Sequence, residues 1–203
     1  MKNLLSHLTV VLILLSVLCA QENNIKVYTV KSGIIEYKYS GSMSGTETVY
    51  FDNYGQKETK YQNIEVSIMG TKQKMNKTIY STLESIITVD NNTKTGMKIP
   101  NPINSVLPKD KKQEVKDLGI KLMEKMGAKK VGNEKVLDKD CEVWEMMGNK
   151  FYIWNGFMIK SDVNMMGMKT TVIATKIELD VNVPADKFEV PKDIKFQKMP
   201  SMH

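Results

Sequence analysis

Three short copies of one pattern constrain this chain most. Met146-Met147-Gly148-Asn149-Lys150 is followed by Met165-Met166-Gly167-Met168-Lys169, and Ile68-Met69-Gly70-Thr71-Lys72 lies upstream. In each, methionine precedes glycine, one residue intervenes and lysine follows. Apolar, strand-like sequence flanks all of them. A two-residue hairpin turn of type II′ needs φ > 0 at its first central position, which glycine adopts without steric cost. Each copy is therefore expected to be a tight hairpin led by its glycine, as in Gly148-Asn149. Strands joined by such turns run antiparallel, so the repeats commit the chain to an antiparallel sheet.

Periodicity fills in the rest. Ile25–Val30 reads as a first strand, turned at Ser32-Gly33 into Ile34–Ser40, where apolar and polar residues alternate. After a loop at Gly41–Gly45 comes Thr46–Asp52, then a turn at Asn53-Tyr54-Gly55. Gln56–Asn63 is polar and is expected at an edge or as an exposed strand. Ile64–Met69 and Lys72–Tyr80 flank the first Met-Gly turn, and Leu83–Asp90 pairs with Thr93–Ile99 across Asn91-Asn92. Pro100-Asn101-Pro102 interrupts the sheet, because proline cannot donate to a ladder.

Asp110–Met126 is the convincing helix. Val115, Leu118, Leu122, Met123 and Met126 form one apolar stripe, Asp110 with Gln113 resembles a capping box, and Gly127 fits the stop. Lys130–Leu137, Cys141–Met147, Lys150–Trp154, Met158–Met166 and Lys169–Val181 return to strand periodicity. In the last, Thr171, Ile173, Thr175, Ile177 and Leu179 take one face, and Val172, Ala174, Lys176 and Glu178 the other. Phe188 and Val190 are expected to pack the tail onto the domain, and Gln197–His203 to fray. The fold class is mainly β (α+β): a strongly curved antiparallel sheet of about eleven strands covered by one main helix.

The N-terminus carries a basic start, an apolar run from Leu8 to Leu18, and Cys19-Ala20-Gln21. That composition is a secretory signal peptide, residues 1–20, with 21–203 as one domain. Lipidation of Cys19 competes with cleavage after Ala20, but Leu18 stands where a small residue is expected. Lysines number 29 against 23 acids, with no arginine. A basic surface without guanidinium forks, evenly mixed with acids, argues against a nucleic-acid partner. With the leader removed, Cys141 is the sole cysteine and reads as a small buried residue.

Catalysis finds little to work with. The histidines are His7, in the leader, and His203, at the end, so histidine triads and histidine-based zinc sites are excluded from the domain. Glu142 and Glu145 read as surface residues rather than a glycosidase pair. The chain reads as a non-enzyme, with no cofactor and no metal site. The 15 methionines admit three readings: core and hairpin tips, a pliable apolar mouth, or a soft Cu(I) site at Met165, Met166 and Met168. Strand alternation separates Met165 from Met166, which weighs against chelation. Across the Gly148-Asn149 turn, Met146 would face Phe151 and Trp144 would face Ile153. Trp144, Met146, Phe151 and Ile153, with Val115, Leu118 and Leu122 of the helix, are the candidate ligand-binding set.

Several phrases together resemble the LolA/LppX-like group, in its exported Bacteroidetes-type members. They are Lys139-Asp140-Cys141-Glu142-Val143-Trp144, Tyr152-Ile153-Trp154-Asn155-Gly156-Phe157-Met158-Ile159-Lys160-Ser161, and the closing Val183-Pro184 with Phe188-Glu189-Val190-Pro191. The resemblance implies an unclosed half-barrel with helical cover and an apolar cavity, and a periplasmic carrier of lipoprotein acyl chains or other lipids. LolA-type carriers hold a lid with an arginine, which this chain lacks. The expected partner is an apolar ligand, a lipid or acyl chain, with peripheral contact to membrane or envelope proteins. The alternative is a non-catalytic envelope interaction module with a solid core.

Overall fold

The computed structural model describes residues 25–68, 70–107 and 118–197. Its strands are β1 (Gly33–Gly41), β2 (Met43–Asp52), β3 (Lys57–Ile68), β4 (Thr71–Thr82), β5 (Ser85–Asp90), β6 (Thr95–Pro100), β7 (Lys129–Val136), β8 (Lys139–Met146), β9 (Asn149–Trp154), β10 (Phe157–Met165), β11 (Met168–Leu179) and β12 (Lys195–Phe196). They form one 12-stranded sheet in the order β12-β6-β5-β4-β3-β2-β1-β11-β10-β9-β8-β7. The sheet is curved and unclosed, with β12 and β7 at its edges, as expected. The central β1–β11 ladder joins the first and last parts of the chain. The single α-helix among the described residues is α1 (Leu118–Lys125). The rest of the expected helix, with Val115, and the expected leader lie outside the described residues.

The hairpins form where the Met-Gly repeats require, but with the other mirror-image turn. Met147 and Gly148 have φ 51 and 75, and Met166 and Gly167 have φ 52 and 81. Positive φ at both central residues is type I′, with glycine second rather than first. The same geometry recurs at Leu137-Asp138 and Asn155-Gly156. Types I′ and II′ both match the right-handed strand twist; the chain adopts I′ although this places methionine at φ > 0. The register moves with the turn: Met146 pairs with Asn149 and Trp144 with Phe151, not Met146 with Phe151 and Trp144 with Ile153. That slip is two residues, so no side chain changes face.

Gly167 shows what the turn demands. A Cβ there would meet nothing within 4 Å, so the cost of a side chain is purely conformational. Gly167→Ala is expected to destabilise the protein by about 1–2 kcal/mol, read as a lower urea midpoint at unchanged slope.

Other expectations are corrected. Gln56–Asn63 is no edge: β3 is paired with β2 over Lys57–Val66 and with β4 over Lys57–Ile68. Ile25–Val30 is not a strand. It crosses the sheet, with Val27 N and Tyr28 N both donating to Tyr54 O at 2.9 and 3.0 Å. The Gly41–Gly45 loop is a tight turn, because β2 begins at Met43. The β5–β6 turn spans four residues, held by Asp90 Oδ1 accepting from Asn92 N and Thr93 N at 3.0 Å each. Strict alternation in β11 fails at a bulge. Tyr37 pairs with Ala174 while Glu36 pairs with Lys176, so Val172 and Ala174 face the core in one half and Ile177 in the other. β12, parallel to β6, has no counterpart among the expected elements.

The main core gathers Ile35, Tyr37, Val49, Phe51, Phe157, Ile159, Val172 and Ala174 with Cys141, Val143 and Tyr152. Tyr28 caps it, stacked on Phe157 at 4.5 Å and edge-on to Phe51 at 4.8 Å. Cys141 is fully buried, as its sequence context suggests. The helix ends as expected at Gly127 (φ 91): Ala128 N donates to Met123 O and Gly127 N to Glu124 O, both at 2.9 Å. That is the Schellman arrangement.

Candidate functional site

Cross-strand partners share a sheet face. On β3, Glu58 pairs with Phe51 and Ser81, Lys60 with Val49 and Ile79, and Gln62 with Glu47 and Lys77. The polar residues of this central strand therefore stand on the same face as the aromatic core. β5 extends the face through Ile86 and Thr88, the partners of Ser81 and Ile79.

Two short segments wall off this face. One is the segment with Val27 and Tyr28, held to Tyr54 O. The other is the 3-10 turn Pro102–Ser105, capped by Asn101, whose side chain accepts from Ile103 N at 3.0 Å. Between them and β3–β5 lies a pocket of about 360 Å³. Val27, Leu83, Ile79, Ile86 and Ile103 supply its apolar wall, and Glu58, Lys60 and Tyr28 its polar end. Leu118 of α1 packs onto the outer side of this wall with Ile25, Ile103, Val27 and Leu83.

The polar end is internally balanced. Lys60 Nζ lies 3.2 Å from Glu58 Oε1, and the Tyr28 hydroxyl donates to Glu58. The Glu58 carboxylate raises the Lys60 ammonium above its usual pKa, against burial that acts the other way. Burial, then the Glu58 charge, pushes the Tyr28 phenol well up, so it remains a donor. Farther along the face, buried Glu47 accepts from the Tyr39 hydroxyl at 3.0 Å and from Gln62 Nε2. Burial raises the Tyr37 and Tyr39 phenols in the same way.

Trp144, Met146, Phe151 and Ile153 come together as expected, in one cluster with Ala128 and Met158. The helix residues that close it are Ile120 and Met123. Leu118 joins the cluster beside the pocket instead, and Leu122 is half-buried and joins neither. Trp144 Nε1 donates to Glu142 Oε2 at 3.0 Å, and Glu142 also pairs with Lys130 at 2.5 Å. None of the Trp144 set lines the pocket. The pocket residues were missed because a polar β3 reads as an exposed strand. The signal available was its position between two hairpin partners, which makes it central. Met165 and Met168 are cross-strand partners, whereas Met166 sits in the turn rather than on a strand. Among the described residues, no group of three or more His, Cys, Asp or Glu side chains could hold a metal ion.

Sheet, cover and pocket define an open β half-barrel with a ligand-sized cleft under its cover. No protein-family model matches the sequence, and no curated protein matches it. Among solved structures, an uncharacterized conserved protein from Thermus thermophilus superposes with a TM-score of 0.51 at 9% identity, over 83% of this chain and 91% of that one. LprF from Mycobacterium bovis gives 0.34 at 8% identity, over 78% and 90%. A putative outer membrane lipoprotein-sorting protein domain from Vibrio parahaemolyticus gives 0.28 at 9%, over 78% and 89%. The Thermus structure shows a shared fold; the other two superpose too loosely to add weight.

Proposed function

We propose that this is an exported, non-catalytic binding protein of the cell envelope that takes an apolar ligand with a polar end, such as an acyl chain, under the cover of the half-barrel. The observation that carries the reading is the pocket itself. Its volume of about 360 Å³ falls within the ~300–1,000 Å³ typical of small-molecule sites. Five aliphatic side chains line it beside one ion pair, with Tyr28, Ser81, Thr82, Thr88 and Asn101 completing the wall, a mixed lining able to orient an amphiphile. Export is supported by the leader-like composition of residues 1–20.

The Trp144 cluster has a part in the same reading. α1 touches both regions, through Leu118 beside the pocket and through Ile120 and Met123 over Trp144. A ligand longer than the pocket would extend by lifting the helix from Trp144, Met146, Phe151 and Ile153. Methionine's flexible thioether suits such a yielding contact.

Organic extraction of the purified protein followed by mass spectrometry is expected to release lipid, and a fluorescent fatty-acid probe is expected to bind and be displaced by acyl ligands. Ile86→Trp puts an indole into the space and is expected to weaken probe binding at least ~10-fold, about 1.4 kcal/mol. No extracted lipid, together with a probe that ignores Ile86→Trp, would leave the solid-core interaction module as the better description.

A further inference from the structure

The topology gathers the β3–β4, β8–β9 and β10–β11 connections on one rim of the sheet. β3, β10 and β8 run in one direction and end at that rim, where β4, β11 and β9 begin. Hydrogen bonds, two of them between backbone groups and one to a side chain, connect the rim from turn to turn. Ser67 N donates to Ser42 O at 2.9 Å, Ser42 N to Lys169 O at 2.8 Å, and Asn164 N to Asn149 Oδ1 at 2.7 Å. The helix end at Met126-Gly127 reaches the same rim, since it leads into Lys129, the partner of Glu145.

What this rim presents is unusual. Met147 is 88% exposed, Met166 99% and Met165 62%. Asparagine is the preferred residue before glycine in a type I′ turn, yet methionine occupies that position at both turns, at a conformational and a solvation cost. Each turn is followed by an exposed lysine: Lys150 and Lys169 make no ion pair among the described residues, and Lys72 reaches Glu65 at 2.8 Å. Apolar tips set within a ring of lysines match the boundary layer of an anionic bilayer, where methionines enter the acyl region and ammonium groups meet phosphates.

We infer that the methionine-tipped rim docks this protein onto an anionic lipid surface, with Met147 and Met166 entering the bilayer and Lys150 and Lys169 contacting headgroup phosphates. The contact is peripheral and reversible. It does not depend on the pocket holding a ligand, so the two readings can fail separately.

The test uses protein purified as the cell processes it and vesicles of phosphatidylglycerol with phosphatidylcholine, compared with phosphatidylcholine alone. The protein is expected to sediment with the anionic vesicles and to be released by salt. The double variant Met147→Asn, Met166→Asn keeps two good type I′ turns and is expected to lose roughly tenfold in partitioning. Lys150→Gln with Lys169→Gln is expected to reduce binding to anionic vesicles and leave the weak binding to neutral ones. Limited peroxide treatment locates the contact, because exposed methionines oxidise to sulfoxide. Anionic vesicles should protect Met147 and Met166 and leave Met97, 44% exposed on β6, oxidising at its free rate. Absence of anionic-vesicle binding, binding unchanged in the Asn double variant, or equal protection of Met97 would each overturn the inference. Binding only to an envelope protein, with none to vesicles, would overturn it too.

Discussion

Phe51→Ala is expected to remove about 3–5 kcal/mol of stability, the cost of emptying a fully buried phenylalanine site. Domains of this kind have only about 5–15 kcal/mol in total, so the variant should unfold in far less urea than the parent, followed by far-UV circular dichroism. The site is exceptional for what it holds together. Phe51 exposes 0% of its surface and meets Tyr28 edge-on at 4.8 Å and Phe157 at 5.3 Å. It also lies over the Cα of Gly33, where a Cβ would come within 2.6 Å of the ring and of Glu178 O. The ring therefore covers a glycine on the neighbouring strand, a pairing that shields the bare backbone. Truncation opens a cavity beside Tyr28 and loosens the segment that roofs the pocket. Phe51→Leu retains most of the volume and should cost well under half as much. Equal losses for the two variants would mean that ring contacts with Tyr28, rather than filled space, dominate.

Much of this arrangement can be read from residues, and the failures have physical causes. The Met-Gly repeats place the hairpins, but glycine serves the first position of one mirror-image turn and the second of the other. Turn chemistry alone does not choose between them, because both match the strand twist. The error was harmless to the Trp144 cluster, because a two-residue slip keeps Trp144, Met146, Phe151 and Ile153 on one face. The helix stripe identified the face of Leu118 but not its target. Ile120 and Met123, rather than Leu118 and Leu122, close over Trp144, and period alone does not set which flank of the stripe meets it. β11 shows a different limit. Alternation continues unbroken through Thr175, yet a bulge there changes which residues face inward. The largest miss was β3, whose Glu58, Lys60 and Gln62 look solvated. Polar residues on a strand paired at both edges must either face water or satisfy one another. Here Glu58 and Lys60 satisfy each other at the pocket's polar end, and Gln62 pairs with Glu47 beyond it.

That internal pairing also predicts which amphiphile the pocket prefers. Lys60 already has Glu58 as its partner, and buried Glu47 adds further negative charge on the same face. A free carboxylate entering beside Lys60 would compete with Glu58 and meet two like charges. A neutral ester or amide can accept from a remaining N–H of the Lys60 ammonium without that repulsion. A monoacylglycerol is therefore expected to displace the fluorescent probe at lower concentration than the free fatty acid of equal chain length at pH 7. Glu58→Gln should reverse the order. It keeps the side-chain shape but frees Lys60 to pair with a carboxylate, and the shift in relative affinity should be about tenfold, or 1.4 kcal/mol. Lys60→Met provides the opposite arm: the fatty acid loses its only cation and should become a poorer competitor still. Each variant moves one charge and retains the aliphatic wall of Ile79, Ile86 and Ile103, so a change in chain-length preference would point to a rearranged pocket. An unchanged ratio across both variants would place the ligand's polar end away from Lys60, toward the open side of the pocket.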